Sequence, residues 1–146
     1  REYTLHPGAV MLVPVLPDGR YIMERQFRYP LNRVFLEFPA GKVDPGESLE
    51  ATAHRELLEE TGYKAQHLQH LTTIHPVISY STEQIALYKA EGLTLHKQQL
   101  DANEFLDVVF IEPHDLLQRI QQGEVTDVKT IIGALWLQQF EGKPQS

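Results

Sequence analysis

Residues 41–63, GKVDPGESLEATAHRELLEETGY, decide the fold of this chain. Residues 44–47 (DPGE) are typical of a tight turn, and the residues after them have the apolar spacing of a helix. Ser48 is a predicted N-cap, and Gly62 can adopt the left-handed conformation that ends a helix. We therefore expect a single helix between these two residues.

Three glutamates, Glu56, Glu59 and Glu60, crowd into one turn of this predicted helix. Glu56 and Glu60 are four residues apart, so they share a face, where like charges repel each other. A solvated acidic face is the ordinary explanation, but both glutamates fall beside or within the apolar stripe. The stripe consists of Leu49, Ala53 and Leu57. Carboxylates at the edge of a buried stripe need compensation, which indicates a divalent cation, Mg²⁺ or its analogue Mn²⁺.

The same stretch resembles the Nudix box, Gly-x5-Glu-x7-Arg-Glu-aliphatic-x-Glu-Glu-x-Gly-aliphatic. The residues in register are Gly41, Glu47, Arg55, Glu56, Leu57, Glu59, Glu60 and Gly62. Tyr63 departs from the box, because a bulky aliphatic residue is usual there. The resemblance implies an α/β fold, a Nudix-type α/β/α sandwich with a mixed β-sheet. It also implies hydrolysis of a nucleoside diphosphate linked to another group.

The resemblance to the Nudix box implies which residues of this chain are metal ligands and which are catalytic. It implies that Glu56 and Glu60 bind the metal, together with the backbone carbonyl of Ala40. Glu59 is a further ligand, direct or through water, and is also counted among the catalytic residues. Arg55 belongs to the same predicted set, although in the family this position is more often structural. We expect Arg55 to form an ion pair with Glu47 that pins the loop to the helix.

Segments that flank the box resemble the ADP-ribose pyrophosphatase branch. The triplet QFR at residues 26–28 implies that Arg28 contacts a substrate phosphate, which suits a bidentate guanidinium. The string EFPAGK at residues 37–42 makes Glu37 a candidate substrate ligand, with a core-edge carboxylate as the alternative. Arg25 is a substrate-binding candidate or a surface residue, and Tyr80 stacks on a base or merely packs.

The candidate catalytic base lies beyond the box. Bacterial members of this branch carry a catalytic glutamate on the loop before the strand predicted at residues 105–111, so Glu104 is the candidate. A solvated loop acid is the alternative, and Glu59 or residues 79–83 are other places for the base. Residues 123–131, GEVTDVKTI, also resemble the tail of this branch.

Bulk properties limit the classes of protein. A chain of 146 residues with 42% hydrophobic and 23% charged residues fits one domain, so we expect residues 1–146 to form a single domain. The net charge of −7 disfavours nucleic-acid binding, RNA decapping included. The chain has no cysteine, which excludes disulfides, thiolate metal sites and the related isopentenyl-diphosphate isomerases.

No apolar run approaches the length of a membrane span, so we expect no membrane contact and a cytoplasmic protein. The chain starts at Arg1 without a methionine, and we expect preceding residues to be missing.

Apolar patterning predicts the remaining elements. Strands are expected at residues 8–16, 21–27, 34–38, 65–75, 83–90 and 105–111, the first two as a hairpin. Helices are expected at residues 113–121 and 127–140. The predicted inner side of the last helix comprises Val128, Ile131, Ile132, Leu135 and Leu137, with Trp136 and Phe140 also in the core.

The resemblance favours ADP-ribose as substrate and a homodimer as the assembly. The alternatives within the class are another sugar nucleotide, a dinucleotide, or a broad range of such compounds. An alternative of another class is a Nudix domain that binds ADP-ribose or a dinucleotide without cleaving it.

Overall fold

A computed structural model describes residues 2–98 and 106–141 of the chain. The strands are β1 (Ala9–Pro14), β2 (Tyr21–Arg28), β3 (Arg33–Glu37), β4 (Ala40–Lys42), β5 (Tyr63–Ile74), β6 (Ile85–Leu95) and β7 (Leu106–Ile111). The helices are α1 (Leu49–Thr61), α2 (Pro113–Gln121) and α3 (Val128–Phe140), and a 3-10 turn spans Tyr29–Leu31. None of these helices is long and apolar enough to cross a membrane.

The strands form two sheets. A mixed four-stranded sheet has the order β4-β1-β6-β5, in which β1 runs parallel to β6 and antiparallel to β4. An antiparallel three-stranded sheet has the order β3-β2-β7. The predicted hairpin between the first two strands is therefore wrong, since β1 and β2 lie in different sheets. β1 cannot pair with β2 along its length, because β4 and β6 already occupy both of its edges. An isolated bridge joins Val15, just after β1, to Tyr21.

The two faces of β1 explain the layers. Val10 and Leu12 are buried in one cluster with Ala53 and Leu57 of α1. The residues between them face the opposite side, because successive side chains of a strand alternate. The cluster there includes Met11, Val13, Leu87, Ala134 and Leu137. The mixed sheet is thus covered by α1 on one face and by α3 on the other, which confirms the predicted α/β/α sandwich.

The inner side of α3 differs from the prediction. Leu137 is buried and Ile131 and Ile132 are partly buried, as expected. Val128, Leu135 and Phe140 are exposed, so their assignment to the core is wrong. A helix that is apolar on most sides can turn only part of its surface to one sheet, and sequence alone does not say which part.

Candidate active site

Helix α1 begins and ends where the sequence predicts. The Ser48 side chain accepts a hydrogen bond of 3.1 Å from the backbone N–H of Ala51, which satisfies one free donor of the first turn. Gly62 follows the last turn with φ of 82°. Both predicted caps are confirmed, and they define the two ends of the helix.

Arg55 lies at the centre of the acidic residues of α1. Its Nε donates to Glu47 at 2.8 Å, and its Nη1 donates to Glu56 at 2.7 Å and to Glu59 at 3.2 Å. Its Nη2 donates to the Lys42 carbonyl at 3.0 Å, so the guanidinium ties α1 to the end of β4. The predicted ion pair with Glu47 is confirmed. Hydrogen bonding by Arg55 lowers the pKa of Glu47 to about 2.

Glu56 and Glu60 are buried although both are acidic, with 8% and 5% of their surface exposed. This burial confirms that Glu56 and Glu60 lie beside or within the apolar stripe of α1. Glu60 Oε1 accepts a hydrogen bond of 3.2 Å from the Ala40 N–H. A methyl group at Gly41 would lie 2.1 Å from the carboxyl carbon of Glu56, so the β4 backbone passes directly over that carboxylate. The structure thus brings together Ala40, Glu56 and Glu60.

Glu24 on β2 joins this group, and the sequence analysis missed it. It is 1% exposed, and its Oε2 has no hydrogen-bond partner among the residues that the structure describes. The Glu24 and Glu60 carboxyl groups are close enough for each to affect the pKa of the other. Burial raises the pKa of both groups, and the neighbouring carboxylate raises that of Glu60 further. The available signal was a glutamate directly after an apolar run, YIM, in a predicted strand.

The donor chemistry of this cluster fits a divalent cation. Burial raises the pKa of both Glu24 and Glu60, and among the described residues one Glu24 oxygen has no hydrogen-bond partner, so these carboxylates lack compensating positive charge. Oxygen donors suit Mg²⁺ and Mn²⁺. Within residues 2–98 and 106–141, no three acidic or histidine side chains converge into a ready-made metal site. Mg²⁺ does not require one, because it keeps several waters and commonly uses one or two carboxylates with substrate phosphates.

Arg28 and Glu37 form a second charged group beside the first. Arg28 Nε and Nη2 donate to the two Glu37 oxygens at 2.8 and 2.7 Å. Glu37 pairs directly with Glu24 across β2 and β3, so Glu24, Arg28 and Glu37 share one face of the hairpin. Lys129 of α3 also donates to Glu37, at 2.9 Å. The carboxylate of Glu37 is thus already engaged by two cations.

A cleft of about 410 Å³ opens beside this pair. It is lined by Arg28, Leu31, Phe35, Glu37, Thr126, Asp127, Val128 and Lys129. The Arg28 side chain is 43% exposed, and the hydrogen bonds to Glu37 use two of the five N–H donors of its guanidinium. Arg28 therefore keeps donors for a ligand in the cleft.

Two of the other predicted site residues, Arg25 and Tyr80, do not line this cleft. Arg25 is exposed and lies on the opposite face of β2 from Arg28, since the two are an odd number of residues apart. Tyr80 is exposed in a turn whose backbone contacts Thr4. Glu104 lies outside the described residues. The roles assigned to these three side chains stay predictions.

The sequence and the fold both resemble those of known proteins. The NUDIX domain model matches residues 5–131. An ADP-ribose pyrophosphatase of Bacillus subtilis is 41% identical over 140 residues, which cover 94% of this chain and 76% of that protein. A methanol dehydrogenase activator of Bacillus methanolicus is 36% identical over 140 residues, with coverage of 94% and 76%. The crystal structure of an ADP compounds hydrolase superposes with a TM-score of 0.83 at 26% identity, covering 91% of this chain and 71% of that one.

Proposed function

The chain belongs to the Nudix family, as a Nudix hydrolase similar to ADP-ribose pyrophosphatases, and we propose that its substrate is ADP-ribose. Water would add to one phosphorus of the diphosphate and the bridging P–O bond would break, giving AMP and ribose 5-phosphate. The observation that carries this proposal is the 41% identity to an ADP-ribose pyrophosphatase over 94% of the chain. The Arg28–Glu37 pair beside the buried carboxylates supports it.

Nudix hydrolases typically depend on a divalent metal. We assign Mg²⁺, or Mn²⁺ in its place, to the carboxylates of Glu56 and Glu60 and the Ala40 carbonyl. Glu59 is a further ligand, direct or through water, and Glu24 supplies an additional buried carboxylate. The cation, when bound, supplies neutralisation of diphosphate charge and acidity to the attacking water.

The side chains of the protein provide binding and proton transfer. Arg28 holds a phosphate through the guanidinium donors that Glu37 leaves available, which orients the diphosphate for attack. Glu104 accepts a proton from the attacking water as general base. Arg55 holds Glu56 and Glu59 in place through its hydrogen bonds to both.

Product analysis in Mg²⁺ tests the proposal. The panel comprises ADP-ribose, ADP-glucose, GDP-mannose, NADH, diadenosine polyphosphates and 8-oxo-dGTP. We expect AMP and ribose 5-phosphate from ADP-ribose, well ahead of the other compounds. Glu60→Gln is the inactive control, because it removes a proposed ligand without changing the shape of the side chain.

The panel distinguishes the alternatives. Preferred cleavage of another compound would keep the hydrolase chemistry and refute the assignment of ADP-ribose. This comparison is necessary because the chain is similar both to an ADP-ribose pyrophosphatase and to a methanol dehydrogenase activator. Tight ADP-ribose binding with no cleavage of any compound would identify a sensor instead.

The assembly and location are separate proposals. We propose that residues 1–146 form one domain and that the protein is a homodimer. Light scattering after size-exclusion chromatography tests the dimer, and a monomer at micromolar concentration would refute it. The substrate is a small molecule linked to a nucleoside diphosphate, and no nucleic acid or membrane partner is proposed. The cytoplasmic location stays a prediction.

A further inference from the structure

The tail motif at residues 123–131 has a structural role that the reaction scheme above does not use. Its Asp127 caps α3 by accepting a hydrogen bond of 3.3 Å from the Thr130 backbone N–H, and the same oxygen accepts from the Thr130 hydroxyl at 2.6 Å and from Lys129 Nζ at 3.0 Å. The Thr130 hydroxyl in turn accepts the Phe38 N–H at 3.4 Å. The first turn of α3 is therefore attached to the end of β3, where Glu37 lies.

Lys129 is the cation of this attachment. Its side chain is only 14% exposed and lies between two carboxylates, Glu37 at 2.9 Å and Asp127 at 3.0 Å. A buried ammonium is costly unless it is paired, so this lysine is committed to these two partners. The Glu37 oxygen that Lys129 contacts, Oε1, is also the oxygen that accepts from Arg28 Nη2.

We propose that Lys129 is a positioning residue for substrate binding, which acts on Arg28 through Glu37. The role of Arg28 as a phosphate ligand belongs to the proposed function, and this inference rests on it. Lys129 and Arg28 hold the Glu37 carboxylate from two sides, so that the carboxylate orients the guanidinium towards the cleft. Together the four side chains Arg28, Lys129, Glu37 and Asp127 have no net formal charge.

Removal of the lysine has two consequences. Glu37 loses one of its two cationic partners and can rotate, so the Arg28 guanidinium loses its orientation. The group also acquires a net negative charge beside a cleft proposed to receive a diphosphate, and like charges oppose binding. Both consequences act on substrate binding, so KM is the parameter that should respond.

The test compares Lys129→Met with Lys129→Arg and with Lys89→Met. Lys89 is a matched control, because it too is a nearly buried lysine between two carboxylates, Glu91 and Glu141, and it does not line the cleft. We expect Lys129→Met to raise the KM for ADP-ribose about tenfold with kcat changed less than about threefold. Lys129→Arg should recover most of the loss, and Lys89→Met should lower Tm without changing KM.

A second mutation shows whether Lys129 acts through Arg28. In an Arg28→Ala background, Lys129→Met should lower kcat/KM much less than it does in the wild type, since positioning of an absent side chain has no effect and only the change of charge remains. Fully additive losses would overturn the proposal, because they would mean that Lys129 acts on the substrate independently of Arg28. A KM for Lys129→Met equal to that of Lys89→Met would also overturn it.

A spectroscopic readout is independent of turnover. In the ¹H–¹⁵N spectrum of the substrate-free protein, the Arg28 Nε–H is assigned by its loss in Arg28→Ala. We expect it to exchange with water slowly in the wild type and in Lys89→Met, and faster in Lys129→Met. Unchanged exchange refutes the inference. If the wild type cleaves nothing in the substrate panel, the proposed function fails, while this measurement still decides the role of Lys129.

Discussion

Gly41→Ala tests the active-site geometry most directly. The added methyl carbon would lie 2.1 Å from the carboxyl carbon of Glu56, and 2.3 and 2.4 Å from its two oxygens. Ordinary contact begins near 3.4 Å, so the Glu56 carboxylate must move by about 1.3 Å, the difference between 3.4 and 2.1 Å. The backbone at Gly41 itself lies outside the left-handed region, so alanine introduces no strain there.

The expected effects on stability and activity differ. The obstructing atoms are the end of a flexible side chain, so their displacement costs about 0.5–1.5 kcal/mol. Gly→Ala at an unstrained position increases the free energy of unfolding by about 0.4–1 kcal/mol, because alanine restricts the unfolded chain. Stability therefore changes by less than about 1 kcal/mol, or about 4 °C in Tm. A shift of about 1 Å in a catalytic group can reduce turnover about 100-fold.

The assay combines kcat/KM for ADP-ribose in saturating Mg²⁺ with Mn²⁺ binding followed by electron paramagnetic resonance. We expect Gly41→Ala to lose about 100-fold in kcat/KM, and to bind Mn²⁺ more weakly, with Tm almost unchanged. Gly19→Ala is the control, because Gly19 has φ of 91° and none of the residues that the structure describes has an atom within 4 Å of the added carbon. This control should lose about 1–2 kcal/mol through backbone strain and keep its activity. A fully active Gly41→Ala with normal Mn²⁺ binding would refute the assignment of Glu56.

Three further predictions concern charged groups. Because burial raises the pKa of Glu24 and Glu60 above the ordinary value of 4.5, the metal-free folded protein binds more protons than the unfolded chain above that pH. The unfolding free energy of the metal-free protein should therefore fall as pH rises. The difference between the Tm in Mg²⁺ and the Tm in EDTA should grow between pH 5 and pH 9. An equal difference at every pH would contradict this prediction. The pKa of Glu47 is lowered to about 2 from 4.5 by hydrogen bonding from Arg55, so its stabilisation is complete above pH 4.5 and is lost as pH falls towards 2. Glu47→Gln should accordingly have a lower Tm than the wild type at pH 7 and a similar Tm near pH 2. Thermal denaturation followed by circular dichroism measures this difference, and a difference that persists near pH 2 would contradict the prediction. Glu104→Gln should lower kcat by roughly 10²–10⁴ with little change in Mg²⁺ affinity, and full activity in steady-state kinetics would mean that another group is the base.

Much of the site could be predicted because its signals are local. Ser48, Gly62 and the helical spacing between them define α1, since caps and periodicity act within a few residues. The same spacing places Glu56 and Glu60 on one side of the helix and Arg55 within reach of Glu47. These predictions are confirmed by the caps, the burial and the ion pair.

Residues that join the site from distant strands could not be predicted in this way. Glu24 follows an apolar run in a predicted strand. Only the pairing of β2 with β3 places it opposite Glu37, and only the docking of α1 brings Glu60 near it. Lys129 meets Glu37 across 92 residues of sequence, a contact that no local pattern encodes. The exposed faces of Val128 and Leu135 depend likewise on how α3 is turned against the sheet.

By itself the sequence determined the box helix, its caps, its carboxylates and the family, because these depend on residue types at fixed short spacings. The tertiary structure alone decided that β1 and β2 separate into two sheets, that Glu24 joins the carboxylates, and that Lys129 engages Glu37. The physical reason is that strand pairing and helix docking are settled by burial of the whole chain at once. Many local patterns are compatible with more than one such arrangement.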